Sequence, residues 1–174
     1  TGGIYRLDVS GRRFLSFPLV IEGHKTTLPA LSVFEDADGG FWVGTWRDGL
    51  MKVDRESGVV TEIPDAKSGN IHHIHSIEQY STSRLLVGSE TGLSLYDMTT
   101  RRFSHYCQTG HNRRSLSNQF VYPVMKDREG GVWVGTFYGG VNYIAPDTKH
   151  IKTFIHSEFA NSVSGNVISC LEED

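Results

Sequence analysis

Residues 39–53 read "GGFWVGTWRDGLMKV" and residues 130–144 read "GGVWVGTFYGGVNYI". A weaker copy, "RLLVGSETGLSLYD", stands between them at 84–97. Aligned on the glycine after the apolar triplet, the copies place Gly44, Gly88 and Gly135 at intervals of 44 and 47. The glycine that opens the next segment recurs as Gly3, Gly49, Gly92 and Gly140, at intervals of 46, 43 and 48. An aspartate follows it as Asp8, Asp54 and Asp97, and an apolar residue closes each unit at Phe17, Ile63, Tyr106 and Phe154. A repeat of this length marks a solenoid, a propeller or an array.

Each unit reads as four short strands. In the best-defined unit they run near Leu31–Asp36, Phe41–Trp46, Gly49–Asp54 and Val59–Ile63. The segments are rich in Val, Ile, Phe, Trp and Tyr, and no window sustains a helical period. Between them lie "DADGG", "RDG" and "RESG", where Gly supplies positive φ and Asp or Ser closes local hydrogen bonds. Four antiparallel strands every ~45 residues describe a β-propeller blade, with strands A to D running outward from the centre. The fold class is therefore all-β. Gly44 and Gly135 fall inside strand B, where a missing side chain lets a neighbouring sheet come close.

The register assigns residues 1–17 to strands C and D of one blade. Residues 28–63, 71–106 and 118–155 form three complete blades, and 166–174, "NVISCLEED", supply the first strand of a further one. The connections 18–27 and 107–117 read as long D–A loops. Residues 1–174 thus make a single propeller segment, an arc of about four blades from a larger ring.

Composition excludes several classes. The 38% hydrophobic and 21% charged content is globular, and 17 basic against 20 acidic residues without a basic block leave no nucleic-acid footprint. No apolar run approaches the ~18 residues that cross a bilayer, so this segment is not expected to insert in a membrane. Cys107 and Cys170 fit no metal or redox motif, and no nucleophile elbow or phosphate-cradling glycine loop is present. No cofactor, catalytic residue or metal is expected.

"DADGGFWVGTWRDGLMKVD" and "DREGGVWVGTFYGGVNYI", with "LSNQFVYPVMKD" leading into the second, resemble the two-component regulator propeller repeat. The resemblance is specific in two blades and weaker at 71–106, where Tyr80 replaces the Asp and Leu86 the Trp. It implies a seven-bladed propeller in the periplasmic sensor region of a Bacteroidetes-type hybrid two-component histidine kinase. By that resemblance the segment is non-catalytic and senses a glycan or oligosaccharide that controls polysaccharide-use genes. Its implied partners are that ligand and a neighbouring propeller or second subunit. Two further readings are a structural protein–protein platform and a propeller lyase acting on cyclic antibiotics, with His73 beside a metal. The D-x-x-G-x-x-W spacing also resembles the sialidase Asp-box, itself a structural turn. "DADGG" has the look of a calcium loop without its downstream Glu.

In a four-stranded meander the B–C and D–A connections emerge on one face. The B–C loops, "TWRDG" (45–49), "SETG" (89–92) and "TFYGG" (136–140), carry aromatics that turn chemistry does not demand. Trp46, Phe137 and Tyr138 are candidate platforms for sugar rings, with Arg47 and Glu90 as hydrogen-bond partners. The competing reading packs these rings between blades. In the cluster His72, His73 and His75, the last two would share one face of a strand, and His73 joins the candidate ligand-binding residues.

Overall fold

The computed structural model describes residues 3–63, 71–107, 115–147, 150–159 and 161–174. All regular structure among them is β. Strands β1 (Ile4–Asp8) and β2 (Arg13–Phe17) form a hairpin, followed by a second small hairpin, β3 (Leu19–Ile21) and β4 (His24–Thr26). Three four-stranded antiparallel meanders come next. They are β5 (Ala30–Glu35) to β8 (Val60–Glu62), β9 (Ile74–Ser81) to β12 (Arg102–Tyr106), and β13 (Val121–Lys126) to β16 (Ile151–Phe154). In each, the strand order follows the chain, and the first strands of successive sheets lie against one another. These are propeller blades, with their first strands innermost.

The close approach between blades occurs at the repeated glycine. A Cβ on Gly44 would collide with the Ile74 side chain of the next blade, and one on Gly88 with Val121. One on Gly135 would meet Ile168. Branched apolar side chains of the following segment, the first strand of the next blade at Ile74 and Val121, thus occupy the space left by glycine in the second strand of a blade. Around each contact the core is continuous: Trp42 and Leu50 pack with Ile74, Ile77, Leu85 and Val87 from the following sheet.

Hydrogen bonds account for the remaining letters of the repeat. Asp36 accepts from the backbone N–H of Asp38 and Gly40 and from the Trp42 indole N–H at 2.7 Å. Asp127 holds Gly131 and Trp133 in the same way. "D-x-x-G-G-x-W" is a hairpin turn fastened to its own tryptophan. Farther along, Asp54 and Asp97 accept from backbone N–H groups two and three residues downstream and close the C–D turns.

Two parts of the chain depart from the sequence reading. Residues 18–27 are not a loop but contain the β3–β4 hairpin, turned by Glu22 and Gly23, both at positive φ (50° and 81°). That pair suits a tight two-residue hairpin turn. The hairpin runs beside the outer strand β8, bridging Val20 to Val59 and covering an edge that would otherwise offer free backbone groups. Residues 166–174 lie on the third blade through Ile168 N–H to Thr136 C=O, but they form no ladder and no strand. Most of the connection 107–117 is outside the described residues.

Candidate functional site

The B–C loops are built from the sheet outward. Thr45 donates its hydroxyl to the Gly49 carbonyl and accepts from the Asp48 N–H. Thr136 does the same with Gly140 and Gly139, and Ser89 with Gly92 and Thr91. All three hydroxyl residues are fully buried. The loop residue that follows is also fastened by its backbone in the outer two cases. Trp46 N–H donates to Pro29 C=O, and Phe137 N–H to Phe120 C=O. Trp46 C=O in turn accepts from His73 N–H.

From these anchored loops a track of rings runs over three blades. Trp46 packs on His73 with centroids 4.2 Å apart. His73 Nδ1 lies 2.6 Å from Glu90 Oε2, and His75 Nε2 lies 3.5 Å from the other oxygen of the same carboxylate. The His75 ring stacks on Tyr122 (4.0 Å, 11°), Tyr122 on Phe137 (5.1 Å), and Phe137 meets Tyr138 edge-on at 4.6 Å. Much of this surface is open: Trp46 is 41% and Tyr138 61% exposed. Burial holds His75 below the ordinary imidazole value, against the pull of Glu90. Burial, the Glu90 charge and Tyr138 raise the Tyr122 phenol.

The structure thus brings Trp46, His73, Phe137 and Tyr138 into one connected surface. Arg47 is exposed beside Trp46 and takes no part in the ring contacts. His73 precedes β9 rather than lying in a strand, with a left-handed backbone (φ 52°), so strand alternation does not explain its alignment with His75. Asn, Asp and His enter that region more readily than most residues. The two rings converge because they bind opposite oxygens of Glu90. Among the described residues, no group of three or more His, Cys, Asp and Glu side chains is arranged to hold a metal ion. Tyr122 and His75 are the residues that sequence reasoning left out of the site. Register supplies the signal, since both occupy the position of Leu31 in the first blade.

The model of the two component regulator propeller family matches residues 26–47 and 115–138. Each match spans the first two strands of a blade and ends in its B–C loop. Two of its three complete blades match the two-component regulator propeller repeat. Among solved structures, these repeats are similar to the extracellular domain of BT4673 from B. thetaiotaomicron, described once as a hybrid two-component system and once as a one-component system. One structure of that domain superposes with a TM-score of 0.74 at 22% identity over 99% of this chain, another with 0.71 at 22% over 97%. The extracellular domain of a second such system from B. thetaiotaomicron, BT3049, gives 0.55 at 13% identity over 95%. The chain spans 22% of the length of the first two and 27% of the third. The likeness shows the propeller fold. No curated protein matches the chain.

Proposed function

We propose that this chain is part of a non-catalytic sensory propeller, displayed on the periplasmic side of a hybrid two-component system, that binds an oligosaccharide across its B–C loops. The observation that carries this reading is the track Trp46–His73–Glu90–His75–Tyr122–Phe137–Tyr138. It offers partly exposed rings from three successive blades, with one carboxylate among them. Sugars present C–H faces that settle on flat rings, and hydroxyls that donate to a carboxylate or imidazole. The backbone anchors hold the rings in place before a ligand arrives, which limits the ordering cost of binding. Repeats of a two-component regulator family, and likeness to extracellular domains of two-component systems, support the sensory context. Among the described residues no helix is long and apolar enough to cross a membrane.

Glycan binding by the full-length protein, measured calorimetrically against a panel of neutral and acidic oligosaccharides, tests the reading. Trp46→Ala and Tyr138→Ala should each weaken binding by about 1–2 kcal/mol, the scale of a well-packed aromatic contact. Arg47→Ala, at an exposed charge, should cost less. Thermal stability should stay within a few degrees of the parent. Unchanged affinity together with a large loss of stability would assign the rings to packing between blades and end the proposal.

A further inference from the structure

The two complete blade junctions are filled differently. At the first, the Trp42 indole is 2% exposed and meets Tyr96 of the next blade edge-on at 5.8 Å. Tyr96 in turn packs on Phe103 at 4.6 Å. Strand register identifies the corresponding trio at the second junction. Trp42 pairs with Lys52 as Leu86 pairs with Leu95, and Leu85–Tyr96–Phe103 matches Val132–Ile144–Ile151. Leu86, Ile144 and Ile151 therefore stand where Trp42, Tyr96 and Phe103 stand one blade earlier. Three aromatic rings have become three aliphatic side chains.

The junction has not closed to compensate. Both are held at the inner strands by a glycine against branched side chains, Gly44 against Ile74 and Gly88 against Val121 and Val124. That spacing is set by backbone approach and does not follow side-chain volume farther out. The result is a cavity of about 460 Å³ between the second and third blades. Leu86, Leu93 and Val132 form a floor that is almost wholly buried, Ile144 and Ile151 form a wall, and Tyr80 and Tyr106 also line the space. None of the lining residues is charged. A volume of this order is that of a small-molecule pocket, and apolar cavities of smaller size take up benzene-like rings from water.

We propose that this gap binds an aromatic small molecule of the indole or phenol class, seated where the neighbouring junction seats its own tryptophan. The occupant is uncharged at its buried end, because no lining group could pair with a charge. Tyr80 replaces the aspartate that receives the indole N–H of Trp42 and Trp133. Recognition therefore rests on ring contact rather than on a carboxylate, and indole and p-cresol should bind within about tenfold of each other. The site lies between sheets, away from the B–C loops, and does not depend on the oligosaccharide reading.

Saturation-transfer NMR and thermal unfolding of the full-length protein, with indole and p-cresol as probes, test the proposal. Saturable binding and a midpoint that rises with indole concentration are expected. Leu86→Trp restores the ring supplied by the chain itself. It should raise the midpoint without ligand and weaken indole binding at least tenfold. Ile144→Tyr fills the same space from the other wall and serves if the tryptophan variant does not fold. Trp46→Ala should leave indole binding unchanged. Absence of saturable binding, an equal indole response in the filled variants, or its loss in Trp46→Ala would each overturn the assignment.

Discussion

Asp36 shows how much of the repeat is spent on one turn. Its carboxylate takes the indole N–H of a fully buried tryptophan and two backbone N–H groups, leaving little capacity for a ligand. Burial pulls its pKa upward, but the Trp42 and backbone hydrogen bonds and the Lys52 charge outweigh it, so the net value is lowered. A lowered carboxylate pKa contributes stability that is present above the unfolded value of about 3.9 and is lost as pH falls through the folded one. Asp36→Ala would strand the Trp42 N–H inside the junction, and unsatisfied buried donors together cost about 2–4 kcal/mol. Urea unfolding at pH 7 should show that loss, and the gap between parent and variant should narrow below pH 4. A difference under ~0.5 kcal/mol at pH 7 would mean that the turn does not depend on its aspartate.

At the level of strands, the glycine of the second strand decides how blades meet. Gly88→Ala would push its methyl against Ser76, Val121 and Val124 at once. Overpacking of this kind costs about 1–3 kcal/mol, and the same substitution at Gly44 should behave alike. Equilibrium denaturation reads both, and a neutral result at both sites would show that the sheets can slide apart freely. Strands were the most legible layer of this sequence, because alternation, turn residues and a fixed period agree at each unit. Phe41–Thr45 and Leu50–Val53 fall within a residue or so of expectation. The β3–β4 hairpin escaped because its strands are three residues long, too short for alternation to register. Its turn signal, Glu22-Gly23, has a glutamate where Asn or Asp is usual. In the candidate site, loop position alone pointed to Trp46, Phe137 and Tyr138. Tyr122 and His75 lie in strands, and only the pairing of each inner strand with its neighbour shows that they reach the same surface.

For the molecule as a whole, stability is a sum over neighbouring sheets. Each blade is held by its own ladder and by the junctions on either side, as in other quasi-one-dimensional repeats. The sheet β9–β12 has a complete blade against both faces. The hairpin β1–β2 meets its neighbour through contacts such as Phe17 against Phe41 at 5.7 Å. Hydrogen exchange under native conditions should therefore protect β10 amides longer than those of β2 or β16. Equal protection throughout would show that the arc opens as one unit.

The buried hydroxyls of Thr45, Ser89 and Thr136 have a consequence for how such a protein can change over generations. Each clamps its loop from inside the sheet, gripping the glycine carbonyl on one side and a loop N–H on the other. The side chains of Trp46, Arg47 and Tyr138 in between lie at the surface and take no part in closing the turn. Substitutions there are insulated from folding, so a lineage can exchange a ring for a charge, or lengthen a loop by one residue, without first acquiring a stabilising change elsewhere. The arc of blades acts as a fixed typeface in which the exposed letters can be rewritten, and new preferences for what is bound can arise without a new fold.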